Sequence, residues 1–320
     1  MASRLGRPAA RRTARLLGYA LAAGLFSVAY RAATHEYRFA TPAQLAAFTA
    51  HTPYQYRVLV PALARAAHEL AGVEVETSYR VLAGLAAFAL LVSFRVYLGR
   101  FVPEAWASWG ALSVFYALLW NVSPVSSFRF LYPSDVPAVA FMTLGLEALV
   151  RRRLALFYPI FALASLNRET SCLLSFAYLF TAAGEQRART LGLHLGLQLA
   201  LWSAIKAALA LAFAGNDGGF LDPMAARNAA LLRSLLELRP GPTSLALLTP
   251  CGMLWLLLPF GFRAQPRFLR RALLVLLPFY LGMGAVANLD ELRIYGELAP
   301  ILAAPAVASA WRLATRSARG

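Results

Sequence analysis

The stretch LALFYPIFALASLNRETSCLLSFAYLFTAA, residues 154–183, is apolar on both sides of a polar break, NRETS at 167–171. Its reading decides the topology. As one continuous helix it carries Arg168 and Glu169 to the middle of a bilayer, which costs several kcal/mol unless each charge is paired. As two short helices that turn back at NRETS, it leaves those charges at a membrane surface. Arg151, Arg152 and Arg153 precede the stretch, and Arg187 and Arg189 follow it. Short loops rich in Arg or Lys stay on the cytoplasmic side. Both ends therefore share that side, and the sequence predicts a hairpin whose polar tip faces the other.

Composition agrees with a membrane setting. The chain is 59% hydrophobic and 14% charged, with a mean hydropathy of +0.57, outside the range of a soluble globular domain. The formal charge of +16 lies almost entirely in Arg, Lys206 being the single Lys. These arginines stand in small groups between apolar runs, which reads as a topology signal rather than a nucleic-acid surface. A spanning helix takes roughly 20 residues, so the expectation is an all-α bundle of about 8–10 membrane segments, counting the short hairpin. It forms one transmembrane domain over residues 1–320.

Threading outward from the hairpin fixes the rest. Residues 1–15 carry Arg4, Arg7, Arg11, Arg12 and Arg15 and no acid, then 16–33 is apolar without a clean A-x-A cleavage site. This reads as an uncleaved first span with a cytoplasmic N-terminus. Further spans are expected at 79–98, 106–120, 135–150, 190–214, 244–260, 272–287 and 298–313. The cytoplasmic segments are then 95–104, 263–271 and a tail over 314–320. The first outer loop, 34–78, offers Thr41-Pro42 as N-cap and first helical residue, and 43–50 and 58–72 read as amphipathic helices on the interface, the second broken by Pro61. The fourth outer loop, 215–243, carries a helix over 223–238 whose Arg227, Asn228 and Arg233 face head groups, or whose body covers a site.

Five polar clusters share the outer face: HEYRF at 35–39, HTPYQYR at 51–57, FRFLYPSD at 128–135, NRETS, and LDELRIYGE at 289–297. Each has two readings. Glu36, beside low-dielectric surroundings, suits a general base, as does His35; both also fit an interfacial belt. Arg57 can fork a phosphate and Tyr54 can pack on a sugar or lipid face, though both also anchor interfacial helices. Asp135 contacts a ligand or, the stronger reading, caps the helix it opens. Arg168 and Glu169 serve a site or form an ion pair closing the bundle. Arg293 and Tyr295 stand at the entrance of the last span, where Arg293 holds an anionic head group or bridges Glu297 at i,i+4. Asp290, Glu291 and Glu297 make a divalent metal conceivable as a cofactor, but no ligand spacing supports one. Cys172 and Cys251 read as small buried side chains, and His194 as a helix-packing residue.

This arrangement resembles the C-type (GT-C) membrane glycosyltransferase superfamily: a cytoplasmic N-terminus, many spans, and a first outer loop with an acid and two interfacial helices. LNRETSCLL at 166–174 and ELRIYGELAP at 291–300 are similar to segments of bacterial proteins near that superfamily. The resemblance implies transfer of a sugar from a polyprenyl-phosphate donor at the extracytoplasmic face. It gives Glu36 the task of activating the acceptor, and Arg57, Arg168 and Arg293 that of holding the lipid phosphate. Partners would be that donor and membrane lipids. The setting would be a bacterial inner membrane, with both termini cytoplasmic. The chain departs from the pattern in having a lone Glu36 where many members show Asp or an acidic pair. Two other functions remain open: a transporter or flippase with Arg168, Glu169, His194 and Lys206 along its path, and a non-catalytic polysaccharide-assembly protein.

Overall fold

The computed structural model describes residues 6–219, 224–239 and 241–317. Residues 1–5 of the basic N-terminal segment, 220–223 and 240 of the expected fourth outer loop, and 318–320 of the tail lie outside the described residues.

The chain is all-α apart from one two-residue pairing. In order, the helices are α1 (Gly6–Ala33), α2 (Pro42–Ala47), α3 (Leu59–Ala71), α4 (Val75–Leu98), α5 (Glu104–Gly110), α6 (Ser113–Asn121), α7 (Asp135–Val150), α8 (Leu154–Asn167), α9 (Leu173–Ala182), α10 (Ala188–Ala212), α11 (Ala225–Leu236), α12 (Pro242–Ala246), α13 (Arg267–Ala272), α14 (Leu276–Val286) and α15 (Ala299–Ser317). Strands β1 (His35–Glu36) and β2 (Phe130–Leu131) pair in parallel, His35 beside Phe130 and Glu36 beside Leu131. Among the described residues, five helices are long and apolar enough to cross a membrane: Arg12–Ala33, Val75–Leu98, Ala188–Ala212, Arg267–Val286 and Leu292–Thr315.

α7 is the axis of the bundle. It is buried on every face, as a helix apolar all round must be, and packs against α4 and α8. Leu90, Leu91 and Phe94 of α4, Met142 and Leu146 of α7, and Phe157 and Phe161 of α8 form the heart of the core. Gly145 lets α9 approach α7, since a Cβ there would stand 2.5 Å from Leu174 Cδ2. By contrast α10 buries only Gln198 and Leu209 fully. Leu17, Leu21, Leu25 and Val28 on α1, with Leu193, Leu197 and Leu211 on α10, stay exposed. Such a continuous apolar surface is foreign to a water-soluble monomer.

The hairpin is present. Arg168 breaks the helix in an extended conformation (φ −160°, ψ 147°), a 3₁₀ turn follows over Glu169–Cys172, and α9 returns. The arms meet at their base, where Arg152 pairs with Glu185 at 2.6 Å. Tyr158 of α8 hydrogen-bonds His194 of α10 at 2.8 Å, and the Tyr178 ring of α9 lies 6.0 Å from the same imidazole. At the tip, Trp202 Nε1 donates to Glu169 O (2.9 Å) and Lys206 Nζ to Ser165 O (2.5 Å). α10 thus runs the length of both arms.

Thr41 caps α2, as its sequence predicts, and Gln44 completes a capping box. Three expectations are corrected. Pro61 falls in the first turn of α3, where its missing N–H is not needed, and the helix is unbroken. The 106–120 segment is two short helices, α5 and α6, separated at Ala111 and Leu112 beside Gly110, which packs against Val307 of α15 too closely for a Cβ. The 244–260 segment is no continuous helix: Cys251, Gly252 and Met253 take left-handed φ of 54°, 65° and 59°. Its open backbone is satisfied sideways. Asn121 Oδ1 accepts from the Cys251 N–H (2.8 Å), and the Tyr116 hydroxyl donates to Gly252 O (2.9 Å). Neither cysteine is in a disulfide.

Two charged ends result. At one, Arg15 and Arg95 pair with Glu104, Arg100 and Arg151 with Glu147, and Arg152 and Arg267 with Glu185. These come from the segments expected on the cytoplasmic side, together with Glu147, which the sequence reading left inside a span. The opposite end gathers the polar clusters.

Candidate functional site

Asp135 opens α7 and is 5% exposed. Its Oδ1 accepts from Arg168 Nη1 at 3.0 Å and from Arg293 Nη1 at 2.9 Å, and its Oδ2 lies 3.5 Å from the Tyr30 hydroxyl. The capping role expected of Asp135 is absent: neither it nor Ser134 makes a side-chain cap bond, because two guanidiniums occupy its oxygens. Arg168 Nε also sits in charge contact with Glu297 Oε1 at 3.1 Å, and that oxygen accepts a hydrogen bond from the Thr170 hydroxyl. Arg293 reaches Glu291 with its other edge. Arg293 and Glu297 therefore do not bridge each other. Residues 292–298 form a 3₁₀ turn, whose threefold pitch sends positions four apart to different sides.

Arg57 forks onto Glu169 through Nε (3.3 Å) and Nη2 (2.6 Å). Neighbours in sequence, Arg168 and Glu169 thus serve different partners across the extended break. Two cations lie against the Tyr132 ring, Arg293 4.3 Å and Arg57 5.2 Å from its centre, and it stacks on Tyr54 at 5.5 Å. Tyr37 joins through Tyr54 and Phe130. Four clusters therefore form one network, with HEYRF attached through the Tyr37 ring and the β1–β2 pairing.

Three buried arginines and half-buried Lys206 face Asp135, Glu169, Glu291 and Glu297. Buried charges persist only when paired and hydrogen-bonded. Burial alone would push the Glu169 carboxyl up, but the Arg57 charge and hydrogen bonds outweigh it and hold the group well below the usual carboxylate range. Burial pushes the Tyr132 hydroxyl up, so the ring stays neutral beside its cations. Two donors of the network are left over: among the described residues Arg57 Nη1 and Arg168 Nε are buried without a hydrogen-bond partner, the second in charge contact with Glu297 but out of bonding geometry.

A cavity of about 580 Å³ lies between α1 and α4 against this network, lined among others by Gly24, Tyr30, Tyr79, Gly84, Tyr132 and Pro133. Nothing stands within 4 Å of where a Cβ would be on Gly24 or Gly84, so the missing side chains leave the cleft open. Its walls are apolar except where Tyr30 meets Asp135, and where Arg31 and Arg80 share Glu76 at the mouth.

His35 and Glu36 are exposed on β1 and stand outside the ion-pair network. Glu36 has no ion-pair partner among the described residues, although its register partner Leu131 lines the cleft. Tyr295 is also apart: buried, with its hydroxyl donating to Leu289 O (2.9 Å) and its ring on Phe279 and Tyr280. Sequence reasoning missed Tyr30, whose position inside an apolar span gives no local signal. It offers Glu291 only as a possible metal ligand and Glu297 as that or a bridge to Arg293, and gives Tyr132 no role inside a cluster it marks. Among the described residues no three His, Cys, Asp or Glu side chains are grouped to hold a metal ion. Comparison with protein-family models, with curated proteins and with solved structures returns no match for this chain.

Proposed function

We propose that the chain is a polytopic membrane glycosyltransferase of GT-C type that takes a sugar from a polyprenyl-phosphate donor, with the clustered end facing out of the cytoplasm. One observation carries this reading: an apolar cleft and a cluster of buried arginines share a wall, Tyr132, and Arg57 keeps one N–H without a partner behind it. A lipid-linked phosphate has the complementary form, an apolar chain ending in an anion. The isoprenoid tail lies along α1 and α4, and the phosphate meets the free N–H of Arg57, competing with Glu169 for its guanidinium.

Glu36 suits the base because it differs from every acid in the network. Those carboxylates are occupied by cations, whereas Glu36 is exposed to solvent and unpaired among the described residues, beside the cleft wall at Leu131. In the reaction its carboxylate takes the acceptor hydroxyl proton while the acceptor oxygen bonds the anomeric carbon. The bond from that carbon to the phosphate oxygen breaks, and the lipid phosphate leaves with the electron pair, stabilised by the arginines.

The cleft also weighs against a flippase. On α1 it runs from Gly24 to Ala32, about 12 Å of helix rise against a hydrocarbon core of about 30 Å. It serves one leaflet. The test is transfer of radiolabelled sugar from polyprenyl-phosphate sugars by the purified chain in nanodiscs. Wild type is expected to transfer, with Arg57→Ala raising the donor KM; transfer unchanged in both Arg57→Ala and Glu36→Gln sinks the reading.

A further inference from the structure

The packed face of α10 carries a polar residue at every turn: His194, Gln198, Trp202 and Lys206, four residues apart. Its lipid-facing side is Leu, Ala and Gly for most of its length. The lowest rung touches the base of the hairpin, where Tyr158 bonds His194, and the Tyr178 hydroxyl donates to Gln186 near the Arg152–Glu185 pair. The two upper rungs touch its tip, Trp202 through Glu169 O and Lys206 through Ser165 O. The ladder therefore links the arginine-rich end of the bundle to the edge of the site.

The second rung is anomalous. Gln198 is 0% exposed, yet neither polar atom of its amide has a hydrogen-bond partner among the described residues. The Tyr158 hydroxyl, bonded to His194, is close enough to interact with the Gln198 amide as a weak hydrogen-bond partner, but not in full bonding geometry. Ser175 of α9 is 1% exposed and its hydroxyl is likewise without a partner. It lies one turn towards the tip from Tyr178, as Gln198 lies one turn towards the tip from His194, and Tyr178 and His194 touch. Ser175 and Gln198 therefore stand at a similar height on the two packed helices, each one turn from the touching pair. In a hydrocarbon setting such groups demand a partner, and water is the molecule that supplies both donors and acceptors to buried polar side chains. Successive rungs are about 6 Å apart along the axis, close to the roughly 5.5 Å that one doubly hydrogen-bonded water spans.

We propose that the wedge between α10 and the hairpin is a hydrated seam that passes protons between the basic end and the Lys206–Glu169 edge of the site. Each hop moves one proton from a water or imidazolium donor to the next water or imidazole acceptor. No other bond changes. The seam is distinct from the apolar cleft and does not depend on the transferase reading.

The test uses the full chain in liposomes with a trapped pH indicator, under valinomycin and equal potassium so that charge is compensated. Wild type is expected to dissipate an imposed pH step several-fold faster than protein-free vesicles, with Gln198→Leu and His194→Phe returning to the protein-free rate. Wild type no faster than empty vesicles, or Gln198→Leu as fast as wild type, overturns the proton role. Radiolytic hydroxyl-radical labelling of the unmodified chain reads hydration without any substitution. Tyr178, 1% exposed, is oxidised if water fills the seam, and an unmodified Tyr178 overturns it.

Discussion

The two charged ends of the bundle use the same residue types to opposite effect. At the basic end Arg15, Arg95, Arg100, Arg151, Arg152 and Arg267 share three glutamates, and several of these side chains stand partly in water. At the site end Arg57, Arg168 and Arg293 are each less than a tenth exposed and meet four carboxylates. Solvent decides the difference. An ion pair in water is worth about 0–1 kcal/mol, so surplus arginine there is tolerated and acts as an address. A buried pair must balance, because an orphaned charge costs several kcal/mol. Excess charge marks where a chain stops, and balanced charge marks where it encloses something.

The strongest way to break this contrast is Asp135→Ala, which strips both Arg168 and Arg293 of a shared partner. A loss of about 3–5 kcal/mol is expected, read as a large fall in Tm by intrinsic fluorescence in detergent. A small fall would mean that water reaches those arginines. Glu36→Gln is expected to reduce sugar transfer about 10²–10⁴-fold, the usual span of a general base, with Tm unchanged. A fall in Tm alongside activity would make Glu36 structural.

Acid sharpens the comparison at Glu169. Arg57 lowers this carboxyl against the opposing effect of partial desolvation, so the pair's stabilisation is complete above the unfolded carboxyl pKa of about 4.3 and is lost as pH falls towards the depressed folded value. Wild type should therefore melt above Glu169→Gln at neutral pH, with the gap closing only under acid conditions below about pH 4. A gap that closes nearer neutrality would show that Arg57 does not hold the charge. The smallest effect belongs to Arg152→Ala at the basic end, within about 1 kcal/mol and diminished by salt, measured as Tm at low and high ionic strength.

Much of this was legible in the sequence. Arginines on either side of 154–183 predict the hairpin, and the polar clusters that topology placed on one face do meet at Asp135, Tyr132 and Glu169. What failed has a common cause. Local rules made Asp135 a cap and paired Arg293 with Glu297, but Asp135 answers to Arg168, 33 residues away, and to Arg293, 158 away, and Glu297 to Arg168. The 244–260 run had a spanning composition, yet Asn121 and Tyr116 hold its backbone open from another helix. Tyr30 reads as one more aromatic residue in an apolar span until Asp135 is beside it.

The hydrogen bonds of the site also set a schedule for its birth. Arg57 is separated from Glu169 by 112 residues, and Asp135 from Arg293 by 158. At about 5–20 residues made per second, Arg57 waits roughly 6–20 s for its carboxylate, and Asp135 longer for Arg293. During that interval each nascent charge is held at the aqueous boundary by hydration alone. The helices can be threaded one by one, but the site closes only when the last span arrives.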